Sequence, residues 1–311
     1  MNFRSTADLA STIAKNLHKV PRDVDLIVGI PRSGLLAANL LALDLNLPLT
    51  HVQGLIQGTI LQSGLTRSSE RWIYRIADAN HVLVLDDSIG SGASMQAVRA
   101  QLANANLPCR VTFGAVYAAP KVCNHVDIYF ELCPLPRMFG WNYMHHPGLT
   151  YCCVDIDGVL CQDPTEHAND DGKAYLSFLE SAKPLYIPTQ EIGYLVTSRL
   201  GKYRLETERW LKSHDIRYRE LVMLEDCDAD TRRRDNLHGR FKANVYSKVA
   251  ASLFIESDEN QANEIALLSG RPVLCVTTQQ LVKPKMASRP FILRKIRGLG
   301  RHIAHFCDAS I

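Results

Sequence analysis

The sequence predicts an α/β protein made of two units, each a parallel sheet flanked by helices. Three observations carry this reading. The chain has 311 residues, a length that suggests about two domains. Short apolar runs of strand length occur at residues 25–30, 82–85, 149–154, 192–196 and 253–255, and several pass through a small-residue turn into a helical pattern. Each half also places a pair of acids where such a run ends, Asp86–Asp87 in the first and Asp155–Asp157 in the second. In open α/β sheets, ligands gather at the carboxyl ends of the strands.

Taken in order, residues 1–20 mix Arg4, Asp8, Lys15 and Lys19 with apolar positions and read as an amphipathic helix rather than a signal peptide. The run 25–30 leads into Pro31-Arg32-Ser33-Gly34 and then an Ala/Leu-rich helix to about residue 45. A cation among small residues at a strand-to-helix turn suits an anion. Residues 55–75 dissolve into Gln, Gly, Ser, Thr and Arg, and read as a surface loop or a closing lid with Arg67, Arg71 and Arg75 as its cations. Next come four apolar residues, Asp86, Asp87, the loop Ser88-Ile89-Gly90-Ser91-Gly92-Ala93 and a helix starting near Ser94. Two carboxylates at a strand's end suit a ribose diol or a hydrated Mg²⁺. The Gly/Ser loop lets backbone N–H groups approach a phosphate at the helix start. The expected ligand is a sugar phosphate.

This stretch resembles the phosphoribosyl pyrophosphate (PRPP) signature of type I phosphoribosyltransferases. The resemblance implies that Asp86 and Asp87 hold the ribose hydroxyls. Ser88, Gly90, Ser91, Gly92, Ala93 and Ser94 would form the 5′-phosphate loop, with Ser replacing Thr at both hydroxyl positions. Arg32, Ser33 and Gly34 match the pyrophosphate loop, which in that family often carries a strained peptide, and Arg71 is the expected lid cation. The family's 6-oxopurine enzymes carry an Asp at the loop position held here by Gly90, which disfavours hypoxanthine and guanine as acceptors. Residues 118–146 correspond to the hood over the base. There Phe139 and Trp141 offer rings for stacking or for packing between domains.

A second unit opens at residue 149. Asp155-Ile156-Asp157-Gly158 puts two carboxylates at i and i+2, a spacing that lets one attack while its neighbour handles protons. The pattern resembles motif I of the haloacid dehalogenase (HAD) superfamily in its Mg²⁺-dependent phosphatase form. That resemblance implies Asp155 as nucleophile and Asp157 as acid/base. Thr197, with Ser198 adjacent, matches motif II, and Lys242, with Lys248 in reserve, matches motif III. The metal ligands would come from Asp155, Asp157, Glu256 and Asp258, although the leading acid of motif IV is a Glu here. Arg199, Tyr203 and Arg204 fall on an expected helix, facing the site or forming surface pairs. Residues 163–173 are a short polar stretch where this superfamily places its cap.

Composition sets the remaining bounds. The net charge of +3 does not argue for nucleic acid, and no apolar run approaches membrane-spanning length. Nine cysteines without a C-x-x-C pair suit a reduced, cytoplasmic protein. Residues 283–311 form a tail with seven cations and no acid over 283–305, and its apolar stripe fits a helix docked on the body. The same stripe fits a helix facing an anionic membrane, nucleic acid or acidic partner.

The expected organisation is therefore two Rossmann-like domains and a tail: residues 1–148 of type I phosphoribosyltransferase fold, 149–282 of HAD fold, and 283–311. The expected function is Mg²⁺-dependent phosphoribosyl transfer from PRPP to a small base-like acceptor, followed by hydrolysis of a phosphorylated small molecule to a nucleoside-like product. A homo-oligomer is compatible with it. The alternatives are a PRPP or nucleotide sensor governing a phosphatase, and an adaptor acting through the tail.

Overall fold

The computed structural model describes residues 1–61, 72–105, 107–169, 172–225 and 237–284. Arg67, Arg71 and nearly all of the basic tail lie outside them.

The first unit is a five-stranded sheet in the order β3-β2-β4-β5-β6, comprising Leu49–His51, Leu26–Gly29, His81–Ile89, Arg110–Ala118 and Ile128–Leu132. Every pairing in it is parallel. Helices α2 (Ser33–Leu45) and α4 (Ala93–Ala103) follow β2 and β4, as strand–turn–helix units require. Strand β4 is buried along nearly its whole length, which explains its continuous apolar run. It runs past the acids to Ile89, so Asp86 and Asp87 lie within the strand and not at its end as the sequence suggested. Pairing with β5 continues through Ser88 and Ile89, and this cross-strand support outweighs the turn character of the residues.

The N-terminus also departs from expectation. Asn2–Arg4 forms a strand, β1, before helix α1 (Thr6–Lys15). A capping box closes the helix start, because Ser5 Oγ accepts from Asp8 N while Asp8 accepts from Ser5 N. Strand β1 pairs in parallel with Arg137–Phe139, strand β7, in the hood.

The second unit is a six-stranded sheet in the order β10-β9-β8-β11-β12-β13: Tyr218–Leu224, Ile192–Leu200, Cys152–Val154, Leu253–Glu256, Val273–Cys275 and Gln280–Val282. Only the edge strand β13 is antiparallel. Among the described residues, helices α5 (Lys173–Ser181), α6 (Arg204–Ser213), α7 (Leu237–Lys248) and α8 (Glu259–Ser269) flank this sheet. The buried thiols Cys152, Cys153 and Cys275 sit on central strands, where they act as small apolar residues.

The two units share a core. Phe3, Met138, Tyr143 and Met144 of the first half pack in one apolar cluster with Cys152, Val154, Ile156 and Leu274 of the second. Thr189 N donates to Met144 O at 3.3 Å, and His145 Nδ1 lies 3.1 Å from Thr189 Oγ1. The strand β1 that the sequence reading missed thus ties the N-terminus into this seam through Phe3. No helix among the described residues is long and apolar enough to cross a membrane.

Candidate active sites

The first site collects at the carboxyl ends of β2 and β4. Gly34 packs so closely on β4 that a Cβ there would lie 2.8 Å from Asp86 Oδ1 and 3.0 Å from Leu85 O, so only glycine allows this approach. The peptide bond between Pro31 and Arg32 is cis, and Arg32 is exposed at the start of α2. Gly92 takes a left-handed conformation (φ +82°) and hands over to α4, and Ser91 Oγ accepts from Ala93 N at 3.3 Å. Ser91, Ala93 and Ser94 are exposed around this turn.

Asp86 and Asp87 are both buried. Asp87 N donates to Asp86 Oδ1 at 2.9 Å, and Trp141 Nε1 donates to Asp87 Oδ2 at 2.9 Å. Burial first, then the charge of Asp87 and a hydrogen bond with it, push the Asp86 carboxyl up to about 8. Trp141 stacks on Phe139 with centroids 4.7 Å apart and planes 10° apart, and Tyr117 stacks on Phe139 at 5.6 Å. These rings thus pack on one another, and Trp141 also anchors Asp87. Arg75, a lid candidate, is exposed and paired with Asp78 at 2.7 Å.

The raised Asp86 predicts a pH signature. A folded state that keeps this proton up to about pH 8, against ~4 in the unfolded chain, binds more protons than the unfolded state between those values. Its contribution to stability is therefore full below about pH 4 and is lost as pH rises towards 8. Asp155 shifts in the same direction. Asp86→Asn is expected to exceed wild-type stability by about 1–3 kcal/mol at pH 9 and to lose that advantage near pH 5. Urea denaturation at both pH values checks this, and an advantage independent of pH counts against it.

The second site lines a cavity of about 460 Å³ at the carboxyl ends of β8, β9 and β11. The strand ends bring Asp155, Asp157, Thr197, Arg199, Glu256 and Asp258 to it, and α7 adds Lys242. Lys242 is buried, with Nζ 2.6 Å from Asp155 Oδ2, 2.7 Å from Glu256 Oε2 and 2.8 Å from Gln261 Oε1. Burial opposes the ammonium charge, but the two carboxylates hold Lys242 above its ordinary value. Burial first, with Glu256 and Asp157 adding to it against the pull of Lys242, pushes Asp155 up to about 8. Gly158 follows with φ +73° and packs on Ser257, where a Cβ would lie 2.2 Å from Oγ. Lys248, the reserve cation, ends α7.

Arg199 is the residue that sequence reasoning placed wrongly. It lies on β9 and not on a helix, and it is 1% exposed. Its Nε and Nη2 clasp Asp157 Oδ2 and Oδ1 at 3.0 and 2.6 Å, while Nη1 reaches Thr207 Oγ1 at 3.3 Å. Burial pushes the Asp157 carboxyl up, but Arg199 outweighs it and holds the group below the ordinary carboxylate range. The signal available in the sequence was an Arg two residues after Thr197, but a spacing does not show which carboxylate a side chain meets.

Glu256 Oε1 accepts from Ser257 N and Asp258 N, and Asp258 Oδ1 caps α8 by accepting from Gln261 N. Among the described residues no three His, Cys, Asp or Glu side chains converge as a ready cation cage. The donor set nevertheless fits Mg²⁺. It is all oxygen, and the cavity wall carries Asp155, Asp157, Asp163, Glu256, Asp258 and Glu259 against Arg199 and Lys242. Burial and these neighbouring acids also push Asp163 above its ordinary value, as expected of a wall with surplus negative charge.

Lys242→Met is expected to cost about 3–5 kcal/mol, because the buried acid groups of Asp155 and Glu256 lose the ammonium they share. Urea denaturation at pH 7 measures it, and a loss below about 1 kcal/mol speaks against this account.

Comparison with known proteins bears on the first half. No curated protein matches the chain. Among solved structures, the chain is similar to a xanthine-guanine-hypoxanthine phosphoribosyltransferase from Helicobacter pylori (14% identity, 45% of this chain and 90% of that one, TM-score 0.33). It is likewise similar to a purine phosphoribosyltransferase from Pyrococcus horikoshii (17% identity, 45% and 92%, TM-score 0.33). A hypothetical protein from Neisseria gonorrhoeae with bound ppGpp is a third (14% identity, 45% and 89%, TM-score 0.33). The family model of the phosphoribosyl transferase domain matches residues 3–143, a span that takes in β1, the turns at residues 31–34 and 90–94, Asp86 and Asp87, and the chain through Tyr143.

Proposed function

We propose that the first half of this chain transfers a phosphoribosyl group from PRPP to a flat, purine-like or other base-like acceptor, and that the second half is a HAD-type phosphomonoesterase. The observation that supports the transferase reading most strongly is the family match over residues 3–143, with Asp86–Asp87 and a left-handed Gly92 turn in matching order. Asp86 and Asp87 hold the ribose, the Gly90–Ser94 loop takes the 5′-phosphate, and residues 32–34 take the pyrophosphate. The acceptor nitrogen forms a bond to C1′ as the bond from C1′ to pyrophosphate oxygen breaks, through an oxocarbenium-like state.

For the second half, the supporting observation is Asp155, Thr197 and Lys242 on one cavity wall with Arg199 clasping Asp157. Asp155 attacks phosphorus and the ester bond to the alcohol breaks. Asp157, once off Arg199 and protonated from solvent, passes that proton to the leaving oxygen and later takes one from the water that frees Asp155. Thr197 and Lys242 hold the phosphoryl oxygens. Asp155, the Asp157 carbonyl, Glu256 and Asp258 would hold Mg²⁺, which when bound offsets the negative charge of phosphate and site.

The test incubates the purified full chain with Mg²⁺, PRPP and a panel of bases and measures pyrophosphate, then free phosphate. Pyrophosphate release supports the transferase. Release of phosphate from the ribose-5′-phosphate conjugate supports consecutive steps. A chain that binds PRPP without turnover while its phosphatase rate responds to PRPP favours the sensor reading instead.

A further inference from the structure

We propose that Arg137 reads the acceptor of the first site, and that the acceptor is a flat nitrogen heterocycle bearing a carboxylate. The inference rests on the phosphoribosyl-transfer reading and names the substrate class of that site.

Arg137 opens β7 and is 7% exposed. A guanidinium has five N–H donors, yet among the described residues the hydrogen bond it forms is a single long one, from Nη1 to Cys133 O at 3.4 Å. Among the described residues no carboxylate lies within ion-pair distance of it. Arg199, also deeply buried, is clasped along one edge by both carboxylate oxygens of Asp157. Leaving a cation buried without a counter-charge is costly, and a ligand anion removes that cost. Burial indeed holds Arg137 below its ordinary value, despite the fields of Asp86 and Asp87. The neighbouring His146, pushed down by burial and by Arg137 itself, adds no second positive charge at neutral pH.

Arg137 reaches the site at Gly90, the residue that opens the 5′-phosphate loop, and through the ring stack that ends on Asp87. Arg137 Nη2 lies 3.3 Å from where a Cβ on Gly90 would stand, so the absence of a side chain at Gly90 leaves this approach open. The pyrophosphate turn instead packs through Gly34 against Asp86. The 5′-phosphate turn presents its own serines and helix N-terminus. Arg137 lies 5.2 Å from the Phe139 ring centroid, Phe139 stacks on Trp141, and Trp141 holds Asp87. This series of contacts leads from the ribose acids to the guanidinium. A planar fork pairs best with a planar carboxylate, and its flat face suits a ring.

The test measures pyrophosphate release from PRPP by the full chain with matched acceptors: nicotinate against nicotinamide, and orotate against uracil. The carboxylated member of a pair is expected to be favoured about tenfold or more in kcat/KM, the size of a charge-assisted pair. Arg137→Gln should erase that preference mainly through acceptor KM, and Arg137→Lys should restore part of it. The KM for PRPP should stay within about twofold in both variants, which separates acceptor reading from a folding defect. Equal or better use of the uncharged rings, or a preference that survives Arg137→Gln, overturns the inference. So does failure of both carboxylated rings while PRPP binding is intact, an outcome that leaves the transferase reading standing. Loss of PRPP binding in the wild-type chain removes the transferase reading, and the inference with it.

Discussion

Asp155→Asn is expected to abolish phosphomonoester hydrolysis, by about 10⁴-fold or more, because removing a covalent nucleophile forfeits the whole two-step route. The substitution is nearly isosteric, and Lys242 keeps Glu256 at 2.7 Å and Gln261 at 2.8 Å, so the cavity keeps its frame. It also removes a carboxyl that burial, Glu256 and Asp157 push up to about 8. Folding stability at pH 8 should therefore be equal to or above that of the wild type. The pair of readouts makes the case specific: phosphate release disappears while thermal stability and pyrophosphate release from PRPP persist. Residual phosphatase activity above about one per cent of wild type would remove Asp155 from the nucleophile's role.

Asp86→Asn combined with Asp87→Asn is expected to produce the converse, a fall of about 10³-fold in kcat/KM for PRPP with phosphate release unchanged. Two charge-assisted hydrogen bonds to a ribose diol, at about 2 kcal/mol each, account for that size. The frame should survive, because an Asn carbonyl at position 87 still accepts from Trp141 Nε1, now 2.9 Å from Asp87 Oδ2. Relief of the crowded charge at Asp86 should raise stability at high pH. Direct titration with PRPP and Mg²⁺ separates weakened binding from slowed chemistry. If either this variant or Asp155→Asn silenced both activities in a folded chain, the two-site account would be wrong.

Much of this architecture was legible in the residues. A run such as Val82–Leu85 is buried on both faces of a sheet, and such a run admits few alternatives to a central parallel strand. The turns at residues 31–34 and 90–94 declare themselves through their small residues between an apolar run and a helical pattern, at Gly92 one with positive φ. Asp155, Thr197 and Glu256 span about a hundred residues of chain, yet each sits at the end of an apolar run, so the strand ends that gather them were visible, while Lys242 comes from helix α7. Arg71 and the tail beyond Pro284 had equally readable composition, but they fall outside the described residues.

The sequence by itself determined the strand–turn–helix units and the residue types at their ends, because those depend on local periodicity and turn chemistry. Tertiary structure decided the pairings: Arg199 with Asp157, Trp141 with Asp87, Lys242 between two carboxylates, and Arg137 buried without an acid. It also decided that Asn2–Arg4 is a strand and that Phe3 belongs to the seam between the units. Such outcomes depend on which side chains meet across long stretches of chain and on how much water they lose there. Burial and neighbouring charge set the protonation of Asp86 and Asp155, and neither is a property of a residue's position in the sequence.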